Sequence, residues 1–104
     1  MADETAEHAV ARVVSEFAVA EAAAEEAMLA LCNLQRSVIK AREACGLHPN
    51  ATAAAVEFIG AAIGWQGSAI DNLAKAHVEL KAVANTHGLP LPPVTQGGGG
   101  GGKG

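Results

Sequence analysis

The sequence predicts an all-α fold: a long antiparallel two-helix hairpin that assembles with copies of itself into an oligomeric helical bundle. Three observations carry this expectation. No Gly or Pro interrupts the chain from Asp3 to Cys45. Apolar residues along that stretch recur in steps of four and three, the period of a helix packed lengthwise on another. A break at Gly46–Pro49 is followed by a second stretch of the same periodicity, which ends at Gly88 and Pro90.

The first helix is expected over about residues 4–45. Its predicted seam is Ala6, Val10, Val13, Phe17, Ala20, Ala24, Ala27, Leu31, Leu34, Val38, Ala41 and Cys45, all apolar. Strands alternate with period two, and this stretch does not. Asp3 or Thr5 is the candidate N-cap. Acids crowd the first two thirds, and Arg36, Lys40 and Arg42 follow, an order that suits the helix dipole at its ends. Gly46 is the natural residue just past the C-terminus, and Pro49 blocks continuation.

The second helix is expected over about residues 52–87, capped by Asn50 or Thr52. Its core face reads Val56, Ile59, Ile63, Gln66, Ile70, Leu73, His77, Leu80 and Ala84. Asp71 and Lys75 form an i,i+4 pair on its outer surface. Both helices end alike, in Cys-Gly-Leu-His-Pro and His-Gly-Leu-Pro, which predicts a Gly cap with Leu47 or Leu89 folding back on the last turn. The short connection forces the helices antiparallel. At 1.5 Å per residue they would run roughly 63 and 54 Å. Together they form the expected hairpin, residues 1–91. Residues 92–104, rich in Pro and Gly, read as a disordered tail that cannot repay its ordering entropy.

Of 104 residues, 24 are Ala, and Leu, Ile, Val and Phe together supply 23; the aromatic residues are Phe17, Phe58 and Trp65. A hairpin with so few large side chains covers one side of each helix and leaves the other bare, which is marginal for a scaffold of this size. Self-association is the expected remedy.

Composition excludes several function classes. A net charge of −4 argues against a DNA binder, whose footprint is a strongly basic face. Ahead of the Pro/Gly-rich C-terminal segment, the longest charge-free runs, Ala44–Val56 and Phe58–Ile70, are thirteen residues each, too short to span a bilayer. The N-terminus carries Asp3, Glu4 and Glu7 where a signal peptide needs Lys or Arg. A cytoplasmic location is therefore expected. Cys32 and Cys45 would lie roughly 20 Å apart on one helix, beyond bridging distance, and read as small buried hydrophobes. His8, His48, His77 and His87 show no metal-ligand spacing with either cysteine, and no cofactor is implied.

Three clusters merit attention. Gly60, Gly64 and Gly67 lie in the interior of the second helix, each costing about 1 kcal/mol against Ala, and read as a surface for close helix approach. Polar residues sit on or beside the seam: His77 falls opposite Glu21, and Gln66 near Leu31, within about a turn of Gln35. Such residues set register or oligomer state. Third, Arg36, Lys40 and Arg42 stand near His48, Thr52 and the N-terminus of the second helix. Its free N–H groups offer an anion site, and Trp65 of a second chain could add a stacking surface. This set is the candidate site for a small anionic nucleotide. No Ser/His/Asp, paired-carboxylate or metal constellation can be assembled, so an enzyme is not expected.

Two resemblances add to this reading. Trp65-Gln66-Gly67 is similar to the Trp-x-Gly of small secreted helical hairpins of type VII systems, although there the motif marks the turn. The pattern Leu31–Leu34–Val38, Ala41-Arg42 and Gly46-Leu47-His48-Pro49, followed by an Ala-rich helix ending at Gly88-Leu89, resembles short helical-hairpin accessory proteins of phages and prophages from GC-rich bacteria. That likeness spans about residues 6–91. It implies a phage accessory role in the host cytoplasm without assigning an activity. Some phage hairpins form small oligomers that sequester cyclic nucleotide signals of host immunity, and this chain is similar to them in size and architecture. The leading expectation is a non-enzymatic self-associating module; the alternatives are a nucleotide-sequestering oligomer and a type VII-like secreted hairpin.

Overall fold

The computed structural model describes residues 4–90, which form two long helices joined by a tight turn. Helix α1 spans Ala6–Ala44, a 3₁₀ turn spans Pro49–Thr52, and helix α2 spans Ala53–Thr86. Of the two candidate caps for α1, Thr5 is extended and its hydroxyl accepts the His8 N–H at 3.1 Å. Asp3 and the 92–104 tail lie outside the described residues.

Both helix ends follow from the sequence. Gly46 and Gly88 have φ of 65° and 64°, the left-handed conformation that a side chain disfavours. At the first end Leu47 N–H donates to Arg42 O (3.1 Å) and Gly46 N–H to Glu43 O (3.0 Å). At the second, Leu89 N–H donates to Ala84 O (2.8 Å) and Gly88 N–H to Asn85 O (3.3 Å). Each is a complete Schellman cap, satisfying carbonyls the helix would otherwise leave open. The start of α2 differs from expectation. His48 caps the 3₁₀ turn, its Nδ1 accepting the Asn50 N–H at 3.1 Å, while the Thr52 side chain makes no capping bond.

The helices pack antiparallel along their length, and the seam of α1 keeps six of its twelve predicted positions but is turned partway toward Glu21, Met28 and Gln35. The buried or half-buried positions include the predicted Val10, Phe17, Ala24, Ala27, Leu31 and Val38 together with Glu21, Met28, Gln35 and Arg42, whereas the predicted Ala6, Val13, Ala20, Leu34, Ala41 and Cys45 are exposed. The cause lies on α2. A Cβ added to Gly60 would meet Gln35 Nε2 at 3.4 Å, and one added to Gly67 would meet Met28 Cε at 3.5 Å. The glycines leave hollows that only long side chains fill, so α1 turns Gln35 and Met28 toward them. The α2 face is as predicted from Val56 to Leu73, with Ala84 buried, but His77 and Leu80 are exposed.

No large side chain among the described residues is buried. Among the described residues only Ala24, at 8% exposure, and Ala84, at 5%, are buried. Both cysteines are free and exposed, against the expectation that they are buried, because Cys32 and Cys45 fall outside the turned seam.

Candidate functional site

The polar seam residues act as pins between the helices. Gln35 Nε2 donates to Val56 O at 3.2 Å, and Gln66 Nε2 donates to Ala24 O at 3.1 Å. Each amide thus reaches a backbone carbonyl of the opposite helix. The expected proximity of Gln66 to Leu31 and Gln35 is corrected: Gln66 bonds a carbonyl seven residues earlier on α1, and the two glutamines serve separate levels of the hairpin. The expected His77–Glu21 pair does form, with Nδ1 3.4 Å from Oε2. Phe17 flanks it, ring centroids 5.3 Å apart. With 58% and 38% of the two side chains exposed, water competes for this pair and its contribution is small.

The three glycines divide. Gly60 and Gly67 receive α1 side chains of their own chain, as described above, while Gly64 faces open space. The close approach they were expected to permit is therefore, at two of three positions, internal to the hairpin.

At the turn end the predicted anion-binding set separates. Arg36 and Lys40 border a shallow open groove together with Cys32, Gln35, Ile39 and Glu43. Arg42 is drawn into the turn instead: its Nη1 donates to Leu47 O at 3.1 Å, its Nη2 lies 3.6 Å from Glu43, and its side chain is 16% exposed. His48 is committed to capping, and Thr52 sits where the 3₁₀ turn passes into α2. Trp65 stands in the middle of α2, 78% exposed, far from the turn where a type VII hairpin carries its Trp-x-Gly. What the structure assembles from this set is thus two cations on a groove that also holds a carboxylate.

The residue that sequence reasoning placed least is Phe58. It is 75% exposed, and with Trp65 seven residues on it marks one longitudinal row of α2. The signal was available: Phe58–Ile70 is charge-free around its whole circumference, so this stretch of helix has no charged outer face to keep in water.

Among the described residues no group of three or more His, Cys, Asp or Glu side chains could hold a metal ion, and no helix is long and apolar enough to cross a membrane. The chain matches no protein-family model, no curated protein and no solved structure.

Proposed function

We propose that this chain is a non-enzymatic, self-associating helical-hairpin module whose work is done by the surface its assembly displays, in the phage accessory setting that its sequence pattern resembles. One observation carries the reading. A hairpin whose buried side chains are two alanines leaves twelve large hydrophobic residues exposed, Phe58 and Trp65 by three quarters or more. Such a chain gains little from folding alone, and burial against copies of itself supplies the missing apolar contact.

The rival reading, sequestration of a small phosphorylated or cyclic nucleotide, has less support. Arg42 and His48 are engaged in the turn, and Glu43 opposes an anion beside Arg36 and Lys40. Light scattering on the chain at about 10–100 µM tests the leading reading. A mass of two or more chains is expected; a folded monomer across that range would overturn it. Thermal shift against cyclic and linear nucleotides separates the rival, since a ligand bound to the folded form must raise its stability. A shift abolished by Arg36→Ala would favour sequestration, whereas no shift leaves the module reading in place.

A further inference from the structure

The two sides of the hairpin differ in chemistry. On one side Glu25 of α1 and Ala74 of α2 border a common groove, beside the Met28–Gly67 contact. The flanks of both helices turned the other way therefore converge on the opposite side. There α1 presents Val13, Ala20, Ala27, Leu34 and Ala41, seven residues apart. On α2 the matching row is Ala55, Ala62, Ala69, Ala76 and Val83. Ala27, Ala62 and Ala76 are half-buried at the edge of the seam, and the other members of the two rows are exposed. Leu34 and Val83 are each 48% exposed and Val13 40%, while Phe58 and Trp65 stand along the outer edge of the same side. The first charged residues on this side are Glu16 and Glu79, both at the open end of the hairpin. On the grooved side, Glu25, Arg36, Glu57, Asp71 and Lys81 are spread along the whole length.

Resting on the self-association proposed above, we infer that this alanine-lined side is the interface, and that its occupant is the same side of a second copy. Three observations favour a second copy. First, size: the α2 row alone runs about 42 Å and the face is two helices wide, on the order of 800 Å² per chain, which is what one partner contributes to a standard stable dimer. Second, surface chemistry: an uncharged face of small side chains meets itself without like-charge repulsion and allows close backbone approach, leaving Phe58 and Trp65 to pack at the rim. Third, end-to-end charge: the half of the hairpin nearer the turn carries Arg36, Lys40 and Arg42 against Glu43 and Glu57. The open half carries Glu4, Glu7, Glu16, Glu21, Glu25, Glu26, Asp71 and Glu79 against Arg12, Lys75 and Lys81. Unlike ends meet when the second copy lies reversed. The resulting four-helix bundle buries the alanine rows at its centre and leaves the Arg36–Lys40 groove open on its outside.

Two substitutions and one intrinsic probe test this. Ala69→Glu places a carboxylate at mid-face and should weaken association at least about a hundredfold, because two uncompensated charges would be buried per dimer. Ala22→Glu, on the grooved side of α1, should leave the mass of the wild type unchanged. If the wild type associates but Ala69→Glu does so equally, the interface lies elsewhere and this inference falls while self-association stands. A wild type that stays monomeric overturns both. Should Ala69→Glu fail to form helix, the wild-type fluorescence of Trp65, the chain's one tryptophan, decides. Its emission should shift to the red on dilution, in step with the loss of mass. Emission at the fully exposed wavelength in the associated state would place Trp65 outside the interface and overturn the assignment.

Discussion

A glutamine on a helix seam is tolerated when its amide finds a partner, and here the partner is a carbonyl already engaged in its own helix. Val56 O accepts the Gln35 amide at 3.2 Å as a second bond, so removing the amide strands no buried acceptor. Gln35→Leu should therefore change stability by less than about 1 kcal/mol, while Gln35→Ala, which also empties the hollow over Gly60, should cost roughly 1–2 kcal/mol. Chemical denaturation of the two variants measures the difference. A large loss in Gln35→Leu would show that the hydrogen bond, and not the filling of the hollow, holds this level of the hairpin. Gly64 offers the converse case. An added Cβ there meets nothing within 4 Å, so Gly64→Ala should gain about 0.5–1 kcal/mol in helix propensity. Gly64 lies on the grooved side, so the same substitution should leave the mass unaltered, and dissociation on adding this one methyl would mean that a second chain approaches there.

At the scale of the helix, termini were the most legible feature. Gly46 and Gly88 were readable because a helix that ends in a left-handed residue selects Gly on steric grounds alone. The phase of the α1 seam was not readable from the same sequence. Two rows of α1 compete for α2: Val13, Ala20, Ala27 and Leu34 are the more apolar, but Glu21, Met28 and Gln35 are the longer. Hydropathy favours the first row, yet the hollows over Gly60 and Gly67 need length, and volume decided. The surroundings of the candidate anion-binding residues were legible only in part, for a related reason. Spacing placed Arg42 and His48 near the turn but gave no means of seeing that the turn's own carbonyl and N–H groups would engage them first. The start of α1 makes a separate prediction. Arg12 donates to both carboxylate oxygens of Glu4, at 3.0 and 2.8 Å, and this hydrogen-bonded partner holds the Glu4 carboxyl below its ordinary value of 4.5. A group whose folded pKa is depressed stabilises above its unfolded value and loses that contribution as pH falls through the folded one. Amide exchange in the first turn of α1 should thus quicken as pH drops below about 4.5, beyond the intrinsic pH dependence of exchange. Arg12→Ala should show the faster exchange already at neutral pH. Identical protection in the two proteins at neutral pH would mean that the bridge does not hold the turn.

For the molecule as a whole the open question is direction, since two hairpins can share the alanine face with their turns together or apart. Counting the described charges, the turn half is +1 and the open half −5. Turns together would set the two −5 ends side by side, and turns apart sets each against a +1 end. Screening confines this preference to about 8 Å at physiological ionic strength, so it acts on orientation and on encounter more than on affinity. Reversed copies stack α2 on α2 of the partner about a two-fold axis at mid-length, where Ala69 meets its own equivalent. Ala69→Cys, with Cys32→Ser and Cys45→Ser to remove the exposed native thiols, should therefore form an intermolecular disulfide under mild oxidation. With the turns together, α2 would lie over α1 of the partner, and the two introduced thiols would stand farther apart than the ~7 Å between Cα atoms that a bridge allows. A triple variant that keeps the wild-type mass but does not cross-link would thus assign the parallel arrangement and show that end charge does not direct assembly.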